Sequence, residues 1–169
     1  MEFDKVLEKR VSARDFTDQK LTDEEVAEIL DAANKAPIAM GEYDKCQLFV
    51  IRDKALLEEI SEEYRNKAGV KHDALYGAPV MILFASSKET SAAFEDCGCV
   101  LENIALKATA MGLGSCYIRG AIQSLGNDAT YLDSLDLANK FHPVSGIILG
   151  HSKKENPPKD HKIRANFIG

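Results

Sequence analysis

Arg10, Ser12 and Arg14 set two guanidinium groups and a hydroxyl at alternate positions of a chain whose formal net charge is -6. In an extended segment, residues i, i+2 and i+4 project to one side. At about 3.3 Å of rise per residue, Arg10 and Arg14 then stand roughly 13 Å apart along that side. The span suits a long anionic small molecule with a phosphate at one end and a polar ring at the other. Arginine's planar fork grips phosphate oxygens two at a time, and a serine hydroxyl between two forks can take a linking oxygen. Solvated turns carry the same three residues by chance, so the cluster gains meaning only from its surroundings.

A second basic group, Lys159-Asp160-His161-Lys162, follows a proline-interrupted stretch near the C-terminus. Alone it reads as a charged tail. Beside the first cluster it reads as a second hand for the same anion, with Lys159 and His161 closing on the phosphate opposite Arg10. Other motifs fall away. Gly112-Leu113-Gly114 follows a helical pattern and precedes a strand, the reverse of a dinucleotide loop, and the third glycine is absent. Neither G-x-x-x-x-G-K-[ST] nor G-x-S-x-G occurs, and no serine, cysteine or histidine sits in a nucleophile arrangement. No catalytic acid, base or nucleophile is nominated. Cys97-Gly98-Cys99 lacks the gap of a zinc knuckle, and the histidines never form H-x-x-x-H, so no metal site is expected. Cys46, Cys97, Cys99 and Cys116 are expected to be reduced and mostly buried, as in a reducing compartment.

Several elements must position these groups. Phe3, Val6 and Leu7 give a short amphipathic helix ending as the basic cluster begins. Thr22-Asp23-Glu24-Glu25 is a capping box, followed by Val26, Ile29, Leu30 and Ala33 at core-helix spacing. Ala36-Pro37 stops that helix. Leu48 to Ile51 reads as a buried strand, and Asp53 caps a helix whose inner face carries Leu56, Leu57, Ile60 and Tyr64. Pro79 to Ala85, without a charge, suits a central strand covered on both faces. The longest helical signal runs from about Ala92 to Met111 and is apolar on most sides, fit for the core centre or a subunit interface. Gly112 and Gly114 close it, and Ser115 to Ile118 reads as a strand. Asn127 to Lys140 is expected to be helical with Leu132, Leu135 and Leu137 inside. Val144 to Gly150 is a last central strand. Ile163, Phe167 and Ile168 load the tail with apolar surface, so the tail is expected to dock on something.

The chain is 169 residues long, 45% hydrophobic and 28% charged, which fits one globular domain with a real core. No stretch reaches the length of a spanning helix, and the N-terminus lacks the apolar core of a signal peptide, so a soluble cytoplasmic protein is expected. Acidity and the absence of long basic runs argue against nucleic acid as a partner. Helices and strands mix without strict βαβ alternation. The expectation is therefore an α+β sandwich with the sheet between helical layers, forming a single domain over residues 1–169.

The order of these pieces resembles the small FMN-dependent nitroreductases over nearly the full length. The resemblance rests on Arg10-Val11-Ser12-Ala13-Arg14-Asp15-Phe16, Ala32-Ala33-Asn34-Lys35-Ala36-Pro37 and Gly77-Ala78-Pro79-Val80. It continues through Asp96 to Ala110-Met111-Gly112-Leu113-Gly114-Ser115-Cys116, and through Gly146-Ile147-Ile148-Leu149-Gly150-His151. It implies a three-layer α/β/α fold with a mostly antiparallel sheet. It also implies an intertwined homodimer with FMN at the subunit interface and a tail, about residues 152–169, extending onto the partner. By the same likeness Arg10, Lys159 and His161 hold the phosphate, with Ser12 near the phosphate and ribityl chain. Arg14 reaches the N1/O2 edge, where negative charge collects on reduction. Pro37, Ile38, Ala39 and Met40 pack on the cofactor from the partner subunit. Tyr117, Ile118, Arg119 and Gly120 line the other ring face, with an amide near Arg119 directed at N5. The implied reaction passes a hydride from NADH or NADPH through flavin N5 to an electron-poor acceptor such as a nitro compound or quinone.

Three departures from the family pattern stand out. Gly41 to Cys46 replaces a frequent Asn-x-Gln-Pro-Trp, Val11 occupies an often basic position, and His161 replaces a frequent arginine. Two other readings remain open from sequence. One is a flavin-binding protein without turnover, serving storage or sensing. The other is a phosphometabolite-binding module without flavin.

Overall fold

Local signals decide where the helices begin and end. The computed structural model describes residues 1–154, 157 and 161–169. Helix α1 spans Phe3–Lys9 and buries only Val6. Helix α2, Asp23–Asn34, starts at the capping box: Thr22 accepts from the Glu25 amide and Glu25 accepts from the Thr22 amide. It ends before Pro37, as the restriction on pre-proline residues requires. Helix α3, Lys54–Ala68, begins where the Asp53 carboxylate accepts from the Leu56 amide, and it stops at Gly69 in the left-handed region. Helix α4, Ala92–Ala110, is the longest at 19 residues. Helix α5 is a short Arg119–Leu125 segment.

Four strands form one antiparallel sheet in the order β1-β2-β4-β3: β1 Cys46–Ile51, β2 Val80–Ser86, β3 Gly114–Tyr117 and β4 His142–Gly150. Strand β2 is buried along its whole length because both of its faces are covered. Met81 and Leu83 face Leu57 and Ile60 of α3 and Ile122 and Leu125 of α5. Val80, Ile82 and Phe84 face Ile29 of α2 and Val100, Leu101 and Ile104 of α4. Alternation with period two thus sends one uncharged strand into two separate cores. The ladder between β2 and β4 slips at Phe84/Ala85, next to Pro143. Proline has no amide to donate, and a bulge is where a sheet tolerates one.

The expected three-layer α+β architecture is therefore present, and three local expectations are corrected. Residues 127–140 are not an α-helix: a 3-10 turn covers Thr130–Ser134 and the rest is irregular. Leu132, Leu135 and Leu137 are spaced by three and two, which cannot keep one helical face. Helix α5, absent from the sequence reading, sits just upstream and buries Ala121, Ile122 and Leu125. Strand β1 is only partly buried except at Ile51, because among the described residues it pairs with β2 alone, at the edge of the sheet. The cysteines are less buried than expected: only Cys97 and Cys116 are buried, Cys46 is half-buried and Cys99 is exposed.

Candidate functional site

Residues 10–17 leave α1 and run beside the outer edge of β3. Ser12 forms a parallel bridge with Ser115, and the Ala13 amide donates to the Ser115 carbonyl at 2.8 Å. Further on, Phe16 bridges Ser152 and the Thr17 amide donates to the His151 carbonyl at 2.9 Å. Ala13 and Phe16 are buried, while Arg14 stays exposed and Arg10 and Ser12 are half-buried. Two glycines make this close approach possible. A Cβ at Gly114 would meet the Ala13 Cβ at 2.8 Å, and one at Gly150 would meet the Phe16 ring at 2.9 Å and Pro79 at 2.7 Å. Ala13 and Phe16 thus pin the segment to the sheet, while Arg14 remains exposed.

Strand β3 carries the next group of candidates onward from Ser115. Tyr117 ends the strand with 41% of its surface exposed, and Ile118, buried, donates its amide to the Gly146 carbonyl at 2.9 Å. Arg119 and Gly120 are exposed at the start of α5. The Arg119 guanidinium lies 5.8 Å from the Phe94 ring centroid, within cation–π range. Arg10, Ser12, Arg14 and Tyr117 to Gly120 therefore share one edge of the sheet.

Charge at this edge has identifiable partners. Arg10 Nε is 3.4 Å from Glu102 Oε1 on α4. Burial pushes the Glu102 carboxyl up, and Arg10 opposes that rise. The Cys116 thiol is pushed up by burial against a downward pull from Arg14, which places the Arg14 guanidinium near β3. Burial also raises Cys97 and Tyr117 to about 12; the Cys97 Sγ and Tyr117 Oη lie 3.7 Å apart. These groups stay protonated at neutral pH, so they act as packing and polar contacts rather than as nucleophiles or bases.

The Pro37–Met40 loop follows α2. Ile38 is buried, Pro37 is exposed, and Met40 stands 92% exposed with φ +60°. No hydrogen bond or ion pair joins this loop to Arg10, Ser12 or Arg14 among the described residues. His161 is exposed in the tail, and no such contact ties it to Arg10 among the described residues. Lys159 lies outside the described residues.

One cluster escaped the sequence reading. Lys88 and Asp96 form a buried pair at 2.7 Å, and both reach the Ala39 backbone. A signal for it existed: Asp96 is a lone carboxylate on the apolar stripe of Ala93, Cys97, Val100 and Leu101. An unpaired charge there is costly, so a partner was required.

Elsewhere, a cavity of about 700 Å³ lined by Arg52, Lys54, Arg65 and Asp73 contains none of the candidate residues. Three of its charged side chains have partners: Arg52 with Asp23, Arg65 with Ser61, and Asp73 with the Leu75 and Gly77 amides. Among the described residues no group of His, Cys, Asp or Glu could hold a metal ion, and no helix is long and apolar enough to cross a membrane.

Fold and edge together define an α+β protein whose β3 edge carries the Arg10 and Arg14 guanidiniums, the Ser12 hydroxyl and the accessible Tyr117 ring. The chain belongs to the nitroreductase family, whose profile matches residues 7–151. An Archaeoglobus fulgidus relative, provisionally named NADH dehydrogenase/NAD(P)H nitroreductase, is 28% identical over 89% of this chain and 86% of its own. The Bacillus subtilis FMN reductase [NAD(P)H] is 27% identical over 88% of this chain, which spans 65% of that relative's length. Among solved structures, a Desulfitobacterium hafniense nitroreductase with bound FMN superposes with TM-score 0.88 at 24% identity, covering 99% of this chain and 98% of that one. A Bacteroides fragilis nitroreductase with bound FMN gives 0.86 at 23% identity, covering 100% and 98%. At such identities the superpositions speak for the fold.

Proposed function

We infer that this chain is an FMN-dependent NAD(P)H oxidoreductase that reduces electron-poor acceptors such as nitro compounds or quinones. The observation that carries the reading is the edge of β3, where Ser12 bridges Ser115 and the same strand leads directly to Tyr117. That arrangement aligns an anion-gripping segment with a surface fit for a flat ring, in a chain of the nitroreductase family. The donor set suits FMN. Arg10 and Ser12 would hold the phosphate end, Arg14 the pyrimidine edge, and Tyr117 to Gly120 one ring face. When bound, FMN supplies the two-electron chemistry. The protein supplies binding, orientation and a fixed cation where charge collects.

The working unit in this reading is a homodimer with FMN between subunits. Apolar side chains left uncovered in one protomer support it: Phe3, Leu7, Met40, Phe94, Phe167 and Ile168 are all exposed. So many large apolar groups outside the core mark a surface that another chain covers. The edge strand β1, beside a groove of about 300 Å³ that includes Leu30, Ile38, Leu48 and Val100, gives a partner's tail room to dock. Met40 and its neighbours would then reach the partner's FMN, and His161 and Lys159 the phosphate. The unit is a single domain over residues 1–169 whose tail, about 152–169, belongs with the partner. Free thiols fit a cytoplasmic setting.

The experiment is FMN titration of purified protein followed by native mass measurement. Uptake of one FMN per protomer by a dimer is expected. A monomer that takes up no flavin would leave only the phosphometabolite reading. A flavin-loaded dimer that neither NADH nor NADPH reduces would favour storage or sensing.

A further inference from the structure

The geometry points to the buried Lys88–Asp96 pair as the positioning device of the loop that meets the flavin. It grips the Ala39 peptide groups from both sides and so holds Met40 outward toward the partner's cofactor. The inference rests on the FMN reading above and adds residues to it.

Ala39 donates its amide to Asp96 Oδ1 at 2.7 Å, and its carbonyl accepts from Lys88 Nζ at 2.9 Å. Lys88 Nζ in turn lies 2.7 Å from Asp96 Oδ2 and 3.5 Å from Glu42 Oε2. An ammonium has three donors, and three acceptors surround this one. The Lys88 and Asp96 side chains are only 4% and 3% exposed. Asp96 sits in the first turns of α4, and Lys88 follows β2, where its amide donates to Ser86 Oγ at 3.1 Å. The loop is therefore tied at one residue to both a helix and the central sheet.

Two features make this more than a packing detail. Met40, the next residue, has φ +60° and ψ 8°, a left-handed conformation that a side chain pays for in strain. Such a residue persists only where its surroundings over-determine it. Its side chain buries almost nothing within the protomer, so the cost has no return there. Secondly, a buried ion pair is seldom worth more than well-packed apolar residues of equal volume. What it adds is a fixed direction for the peptide that it holds. Both features have a purpose if the loop must present one surface to the other subunit's FMN.

The test compares full-length FMN-loaded wild type with Lys88→Met. The readouts are FMN affinity, the shape and position of the flavin visible band, thermal stability and native mass. The expected variant is a folded dimer whose FMN affinity falls roughly fivefold or more, with a displaced flavin band. A folded variant with lower thermal stability but wild-type affinity and spectrum would overturn the inference, since a purely structural pair acts in that way. If Lys88→Met does not fold, Glu42→Gln decides, because Glu42 is partly exposed and only one of three acceptors. It should move band and affinity in the same direction, by about twofold, and an unaltered flavin would refute the role. Wild-type protein that takes up no FMN would instead remove the functional reading itself.

Discussion

Arg10 Nε lies 3.4 Å from Glu102 Oε1, so the guanidinium proposed to hold the FMN phosphate already has a carboxylate partner on α4. Both side chains are more than a third exposed, so the pair is a weak one, screened by water. A carboxylate beside a phosphate site repels the ligand. Glu102→Gln should therefore tighten FMN binding by about two- to fivefold, measured by fluorescence titration at low salt. Weaker binding would mean that Glu102 aims Arg10 rather than competing for it.

The two arginines should separate by readout. If Arg10 holds the phosphate as proposed, Arg10→Ala should weaken FMN binding by roughly tenfold or more. With Arg14 at the pyrimidine edge, as proposed, Arg14→Ala should lower the flavin reduction potential, because a cation near the reducible edge is gone. Equilibrium binding and an anaerobic redox titration check the pair. Unchanged affinity in Arg10→Ala would take Arg10 away from the phosphate.

Gly150→Ala should destabilise the protein and loosen the segment at once. Its new Cβ would lie 2.7 Å from Pro79 and 2.9 Å from Phe16, both ring carbons that cannot swing aside. Overpacking of this kind costs about 1–3 kcal/mol, seen as a lower Tm. FMN retention should fall as well, because Phe16 anchors the strand edge bearing Ser12 and Arg14.

The legible parts of this fold were those written locally. The capping box of α2, the uncharged β2 and the long apolar α4 each carry their signal within one window of sequence. Helix α5 has only seven residues with Gly120 among them, too short for a periodic pattern to stand out. The leucines of 127–140 drew a helical reading that their spacing does not sustain. How buried β1 is depends on which strands flank it, which no local pattern records. At the site, Arg10, Ser12 and Arg14 stood out by type and spacing, and the structure bridges Ser12 to Ser115 on β3, the strand that ends at Tyr117. The Lys88–Asp96 grip on Ala39 joins residues 57 positions apart, so only the fold reveals it.

One pH effect follows from the turn that replaces the expected helix. Burial alone would raise Glu63, but the Thr130 amide and hydroxyl and Lys67 outweigh it, and its carboxyl lies below the ordinary 4.5. A lowered folded value means stability present above about 4.5 and lost as pH falls through the folded value. Thermal melts across the acid range should show that loss, and Glu63→Gln should flatten it. An identical acid slope in both proteins would take Glu63 out of the account.

In the proposed reading this chain binds FMN on the β3 edge and turns it over with a nicotinamide. Anaerobic titration of the FMN-loaded protein with NADH and then NADPH, followed by its visible spectrum, tests it most directly. Bleaching of the flavin band by at least one nicotinamide, and its return on adding a quinone, is expected. A bound flavin that keeps its colour through both titrations would contradict it.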